Sequence, residues 1–116
     1  MRLIGALAHA IIDYTMVILI VIGPSVWGFT GLQALLAYIL ALALLVLTLF
    51  SRHPLGLKVV RFPLHGAVEL LLIAVWLALP WLANFARGVH SRNFYLAVGI
   101  LMLVIWILTD FRGLRD

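Results

Sequence analysis

The chain of 116 residues contains no cysteine, and charged residues make up only 10% of it. Without cysteine the protein can form no disulfide, no thiolate metal site and no thiol nucleophile. Soluble domains carry about 25% charged residues, so the scarcity of charge argues against a water-soluble domain. Disorder is excluded as well, because disordered chains are polar whereas 66% of these residues are hydrophobic. The composition places the chain in a lipid bilayer.

Four apolar segments are long enough to cross a membrane, which takes about 20 helical residues. They cover about residues 3–22, 32–50, 63–82 and 94–108. Gly23-Pro24 is expected to end the first segment, and Pro63 suits the first turn of the third. The sequence therefore predicts an all-α fold, a four-helix transmembrane bundle that forms one domain over residues 1–116.

Basic residues outside these segments are distributed unequally between the two sides of the membrane. One side would carry Arg2, Arg52, Lys58, Arg61, Arg112 and Arg115, and the other only Arg87 and Arg92. The positive-inside rule then predicts a multi-pass protein of the inner or cell membrane with both termini in the cytoplasm. No basic run is longer than two residues, so nucleic acid is not expected as a partner.

An internal repeat relates the two halves of the chain, since residues 9–29 and 65–85 align without gaps. The alignment rests on four pairs of residues: His9 with His65, Asp13 with Glu69, Pro24 with Pro80, and Phe29 with Phe85. Two spans separate the repeats, so both enter the membrane from the same side. The prediction is two parallel helical-hairpin repeats, over about residues 3–52 and 62–112, related by a pseudo-twofold axis along the membrane normal.

Each half of the chain carries a series of short motifs. The first half carries the pattern H-x-x-x-D-Y at His9, Asp13 and Tyr14, then Gly23-Pro24 and Trp27-Gly28-Phe29. The second half carries the connector Leu55-Gly56, then Phe62-Pro63-Leu64-His65, Glu69 and Pro80-Trp81. These motifs resemble those of SPW-repeat membrane proteins, small four-helix proteins of bacteria and archaea. The resemblance implies two repeats that each hold a histidine and a carboxylate, and it implies no particular activity.

Ionisable side chains within the spans are the candidate functional residues. His9 and Asp13 lie four residues apart in the first span, and His65 and Glu69 repeat this spacing in the third. Residues at i and i+4 share one face of a helix. A charged residue at the centre of a membrane costs at least about 2.5–3.5 kcal/mol, so these side chains are expected to face the bundle interior and one another.

Four uses of these side chains fit the sequence. They can be structural polar pairs that fix how the hairpins pack, since lipid supplies no hydrophobic force between helices. They can be the ligands of a divalent metal, with zinc, manganese or iron suited to nitrogen and oxygen donors. They can pass protons or ions. A haem held between His9 and His65 is the fourth alternative.

The sequence predicts no catalytic residue and no cofactor-binding site other than the metal and haem alternatives above, because it contains none of the phosphate-binding, dinucleotide-binding or hydrolase motifs. The expected function is that of a non-enzymatic accessory or structural subunit, which forms a homo-oligomer or joins a larger membrane protein complex. Trp76 and Trp106 lie within the spans, where they are expected to fill space between helices without polar partners.

Overall fold

The computed structural model describes residues 4–51, 61–85 and 87–109, and four α-helices lie within these ranges. They are α1 (Ala6–Trp27), α2 (Leu32–Phe50), α3 (Phe62–Leu82) and α4 (Val89–Leu108). All four are long enough and apolar enough to cross a membrane. The predicted all-α transmembrane bundle is confirmed.

Two of the predicted helix boundaries are wrong. The first helix continues through Gly23-Pro24 to Trp27. Gly23 serves close packing here, since a Cβ atom at this position would lie 2.1 Å from Cζ of Phe94. The fourth helix begins at Val89 rather than at 94, because the polar residues that precede its apolar stretch form its first turn.

The helices pack as two hairpins, α1 with α2 and α3 with α4, and α1 also packs on α4 and α2 on α3. The order around the bundle is therefore α1, α2, α3, α4, and α1 faces α3 across its centre. One end of the bundle holds the first residues of α1 and α3 together with the last residues of α2 and α4. The N–H of Ile4 donates to the carbonyl oxygen of Leu108 (2.9 Å), which ties the chain before α1 to the end of α4.

The same turn closes both hairpins at the opposite end. A left-handed residue follows the first helix of each hairpin, Gly28 (φ 75°) in one and Asn84 (φ 66°) in the other. The next residue is a buried phenylalanine whose N–H donates to a proline carbonyl, Phe29 to Pro24 (2.9 Å) and Phe85 to Pro80 (2.8 Å). These are Schellman-type helix ends, and they occupy equivalent positions of the predicted repeat.

Small residues on one face of α2 allow close contact with its neighbours. The buried positions of this helix recur every three or four residues: Ala34, Ala37, Ala41, Leu44 and Thr48. All but Leu44 have small side chains, in which interfaces between transmembrane helices are enriched. The opposite faces expose large apolar residues, for example Ile18, Leu42 and Leu71, as expected where helices meet lipid.

Both interior tryptophans have hydrogen-bond partners, which corrects the expectation that they only fill space. Trp76 Nε1 donates to the carbonyl oxygen of Tyr95 (2.7 Å), and the two rings stack with centroids 4.1 Å apart. Trp106 Nε1 donates to the carbonyl oxygen of Gly66 (2.7 Å). Each bond joins α3 to α4. A buried indole N–H needs such a partner, and the spacing of residues along the chain does not reveal which carbonyl supplies it.

Candidate metal centre

Buried polar side chains gather at one end of the bundle. Eight polar or charged residues are buried among those that the structure describes: His9, Asp13, Thr48, Ser51, His65, Glu69, Ser91 and Thr109. All but Ser91 lie near the end where α1 and α3 begin. Their side chains come from all four helices or from the residues that directly follow them.

The starts of α1 and α3 place the two histidines at equivalent positions. His9 is the fourth residue of α1, and its N–H donates to the carbonyl oxygen of Gly5 (2.9 Å). His65 is the fourth residue of α3, and its N–H donates to that of Arg61 (2.9 Å). Each carboxylate follows one helical turn deeper on the same face, so both pairs point to the centre of the bundle.

The four side chains meet there in one closed ring, which we call the His–carboxylate cluster (His9, Asp13, His65 and Glu69). Nε2 of His9 lies 3.1 Å from Oδ2 of Asp13 and 2.8 Å from Oε2 of Glu69. Nε2 of His65 lies 2.9 Å from each of the same two oxygens. The predicted pairs therefore form within each helix and also across the bundle.

The ring has the dimensions of a four-coordinate metal site. One ligand atom from each residue lies within 4.8 Å of the other three. Zinc bonds of about 2.0–2.1 Å would place neighbouring atoms of a ligand tetrahedron about 3.3 Å apart. The nitrogen–oxygen distances in the ring, 2.8–3.1 Å, need to grow by only a few tenths of an ångström to accept an ion.

The two carboxylates of the cluster require two positive charges if the buried group is to be neutral. Asp13 and Glu69, each 1% exposed, bring two negative charges into the bundle when ionised. A nitrogen and a carboxylate oxygen at these distances also need a hydrogen or a cation between them, since both are otherwise acceptors. Two protons or one divalent ion meet both requirements.

Three hydroxyl groups surround the cluster, and the sequence interpretation missed all of them. Thr109 Oγ1 lies 2.7 Å from Nδ1 of His9, and Ser51 Oγ lies 2.7 Å from Nδ1 of His65. Thr48 donates to Oδ2 of Asp13 at 3.3 Å. The sequence feature that could have indicated two of these hydroxyls is their equivalent position, since Ser51 and Thr109 are each the first residue after the second helix of a hairpin.

No protein-family model, curated protein or solved structure matches the chain. The resemblance to SPW-repeat proteins therefore stays a prediction from motifs. Two predictions rest partly on residues outside the described part of the chain. The predicted cytoplasmic location of the termini uses Arg2, Arg52, Lys58, Arg112 and Arg115, and the connector motif uses Leu55 and Gly56.

The haem alternative does not fit the geometry of the cluster. The imidazole rings of His9 and His65 lie with centroids 5.6 Å apart, and both Nε2 atoms contact the same two carboxylate oxygens. A porphyrin between the rings would have to displace both carboxylates. The space between the histidines suits a single ion instead.

A relay through the membrane finds no continuation among the described side chains. Beyond the cluster the centre of the bundle is apolar, with buried Ile20, Leu44, Ile73 and Met102. Among the described residues, the one buried titratable side chain outside the cluster is that of Tyr95, whose hydroxyl donates to the carbonyl oxygen of Gln33 (2.6 Å). Among the described residues, the cluster is therefore an isolated polar site near one end of the bundle and is not continued by a chain of titratable groups that could carry protons across the membrane.

Proposed function

We propose that the protein is a non-enzymatic membrane protein that binds one divalent transition-metal ion in the His–carboxylate cluster. The closed ring of four donor atoms carries this proposal. Two imidazole nitrogens and two carboxylate oxygens form a complete ligand set, and a divalent ion would leave the buried group without net charge. An uncompensated charge at this depth would be expensive in lipid.

The donor set favours particular ions. Imidazole suits zinc, iron and similar ions, whereas calcium takes six to eight oxygen ligands and magnesium demands an octahedron of oxygens. A four-coordinate site with two nitrogens fits zinc best, and manganese or iron are the next candidates. No thiolate is available, because the chain lacks cysteine.

The role we propose for the ion is to hold the two hairpins together. It would take two ligands from α1 and two from α3, the helices that face each other across the bundle. A bundle fixed in this way suits an accessory or structural subunit, self-associated or within a larger membrane complex. Native mass spectrometry from mild detergent tests the association; a protein that is monomeric and alone at every concentration would contradict it.

Elemental analysis tests metal binding directly. Purified protein would be stripped with a chelator, loaded with Zn²⁺, freed of excess ion and measured for zinc per chain. We expect one zinc per wild-type chain and none in the His9→Ala/His65→Ala variant. The control His90→Ala, which removes an exposed histidine at the other end of the bundle, should still bind one zinc. A wild-type chain without zinc, or a double variant that retains it, would contradict the proposal.

A further inference from the structure

Two hydroxyl groups each connect one hairpin to the histidine of the other. Thr109 follows α4 and contacts His9 on α1, and Ser51 follows α2 and contacts His65 on α3. Both hydroxyl oxygens lie 2.7 Å from Nδ1, the ring nitrogen that faces away from the cluster. Both residues are fully buried.

The backbone fixes which atom supplies the hydrogen in these contacts. Oγ1 of Thr109 lies 2.6 Å from the carbonyl oxygen of Ile105, and the hydroxyl of Ser51 bonds in the same way to the carbonyl of Leu47. A carbonyl oxygen carries no hydrogen, so each hydroxyl donates its single hydrogen to the backbone. Toward the imidazole each hydroxyl can then only accept, and Nδ1 of both histidines must carry a hydrogen.

A neutral imidazole has one N–H and one free lone pair, so a hydrogen on Nδ1 leaves the lone pair on Nε2. Nε2 is the atom that each ring presents to the two carboxylates. In the opposite tautomer an N–H would point at the ion, and the ring would be lost as a ligand. The hydrogen bond at the second ring nitrogen commonly sets the metal-binding nitrogen in this manner.

We propose that Ser51 and Thr109 are positioning residues that hold His65 and His9 in the Nδ1–H tautomer and aim both Nε2 lone pairs at the metal ion. This inference rests on the proposed metal site for its purpose, while the tautomer itself is a property of the metal-free protein. It also explains why each hydroxyl comes from the hairpin opposite its histidine. The ligand geometry is then complete only when the two hairpins are packed together.

Affinity measurements on hydroxyl variants test this role. Ser51→Ala and Thr109→Val remove the acceptor, whereas Ser51→Thr and Thr109→Ser keep it. Thr15→Val is the matched control, because the Thr15 hydroxyl also bonds the carbonyl four residues earlier, that of Ile11 (2.8 Å), on an exposed face. We expect Zn²⁺ affinity to fall roughly 10–100-fold in the first two variants. The conservative variants and the control should bind like wild type.

Nitrogen NMR of histidine-labelled, metal-free protein gives a readout that does not require metal. At a pH where the rings carry one proton, His9 and His65 of wild type should hold it on Nδ1. Ser51→Ala should shift His65 alone toward the Nε2–H form, and Thr109→Val should shift His9 alone. Nε2–H rings in wild type, or unchanged tautomers and affinity in both variants, would overturn the inference. If wild type binds no zinc, the proposed function fails, and these spectra still decide whether the hydroxyls set the tautomer.

Discussion

His9 and Glu69 lie 60 residues apart in the chain, yet Nε2 of the histidine lies 2.8 Å from Oε2 of the glutamate at the centre of the bundle. The contact joins α1 to α3, and its counterpart joins His65 to Asp13 at 2.9 Å. Each carboxylate thus contacts both histidines. Two pairs that are local in sequence become one closed ring that spans the bundle.

The first prediction concerns the stability of the metal-free protein. Asp13→Ala should lower the free energy of unfolding by about 3–5 kcal/mol, because it leaves the remaining buried groups without a balancing charge. Denaturant unfolding in detergent, followed by circular dichroism, would measure the change. Thr15→Ala on the exposed face of the same helix is the control and should have little effect. Equal effects of the two substitutions would contradict a charge-balanced cluster.

The second prediction concerns which ions bind. Zn²⁺ or Co²⁺ should bind to stripped protein at one ion per chain, whereas a large excess of Mg²⁺ or Ca²⁺ should not displace them, since both prefer all-oxygen sites with more ligands. Competition followed by the visible spectrum of bound Co²⁺ would measure this, because tetrahedral Co²⁺ absorbs more strongly than the hydrated ion. Displacement by Mg²⁺ at comparable concentration would contradict the proposed ligand set.

The helices and the four cluster residues were predictable from sequence because the physical constraints there are strong. Spans need long apolar runs, and buried ionisable side chains need partners, so His9 and Asp13 could be paired by spacing alone. The hydroxyls of Ser51 and Thr109 were not predictable in this way. Their contacts depend on where α2 and α4 end in space, and serine or threonine after a helix has many ordinary roles. The predicted end of α1 at Gly23 was wrong, because this glycine allows close packing against Phe94 and does not end the helix.

The third prediction tests the equivalence of the two hairpin turns. Gly28→Asn should unfold like wild type, since Asn84 already holds the left-handed conformation at the equivalent position. Gly28→Val should lose about 1–2 kcal/mol, the cost of that conformation for a residue with a bulky side chain. Crowding would not explain the loss, because a Cβ atom at Gly28 meets nothing within 4 Å. Equal stability of the two variants would argue against equivalent turns.

The fourth prediction concerns orientation in the membrane. The native chain has no cysteine, so one introduced cysteine is a unique label site. With both termini in the cytoplasm, a cysteine at the exposed position 30 between α1 and α2 (Thr30→Cys) should react with a membrane-impermeant maleimide on intact cells. A cysteine added after Asp116 should react only once the cells are permeabilised. The reverse pattern would contradict the predicted orientation.

The central claim is that His9, Asp13, His65 and Glu69 together hold one ion, and X-ray absorption of zinc-loaded protein tests it most directly. The zinc ion should have four nitrogen or oxygen neighbours at about 2.0–2.1 Å, with the outer-shell scattering of two imidazole rings. In zinc-loaded His9→Ala protein, the same measurement should show the scattering of only one imidazole ring. A zinc shell of water oxygens without imidazole scattering would contradict the account.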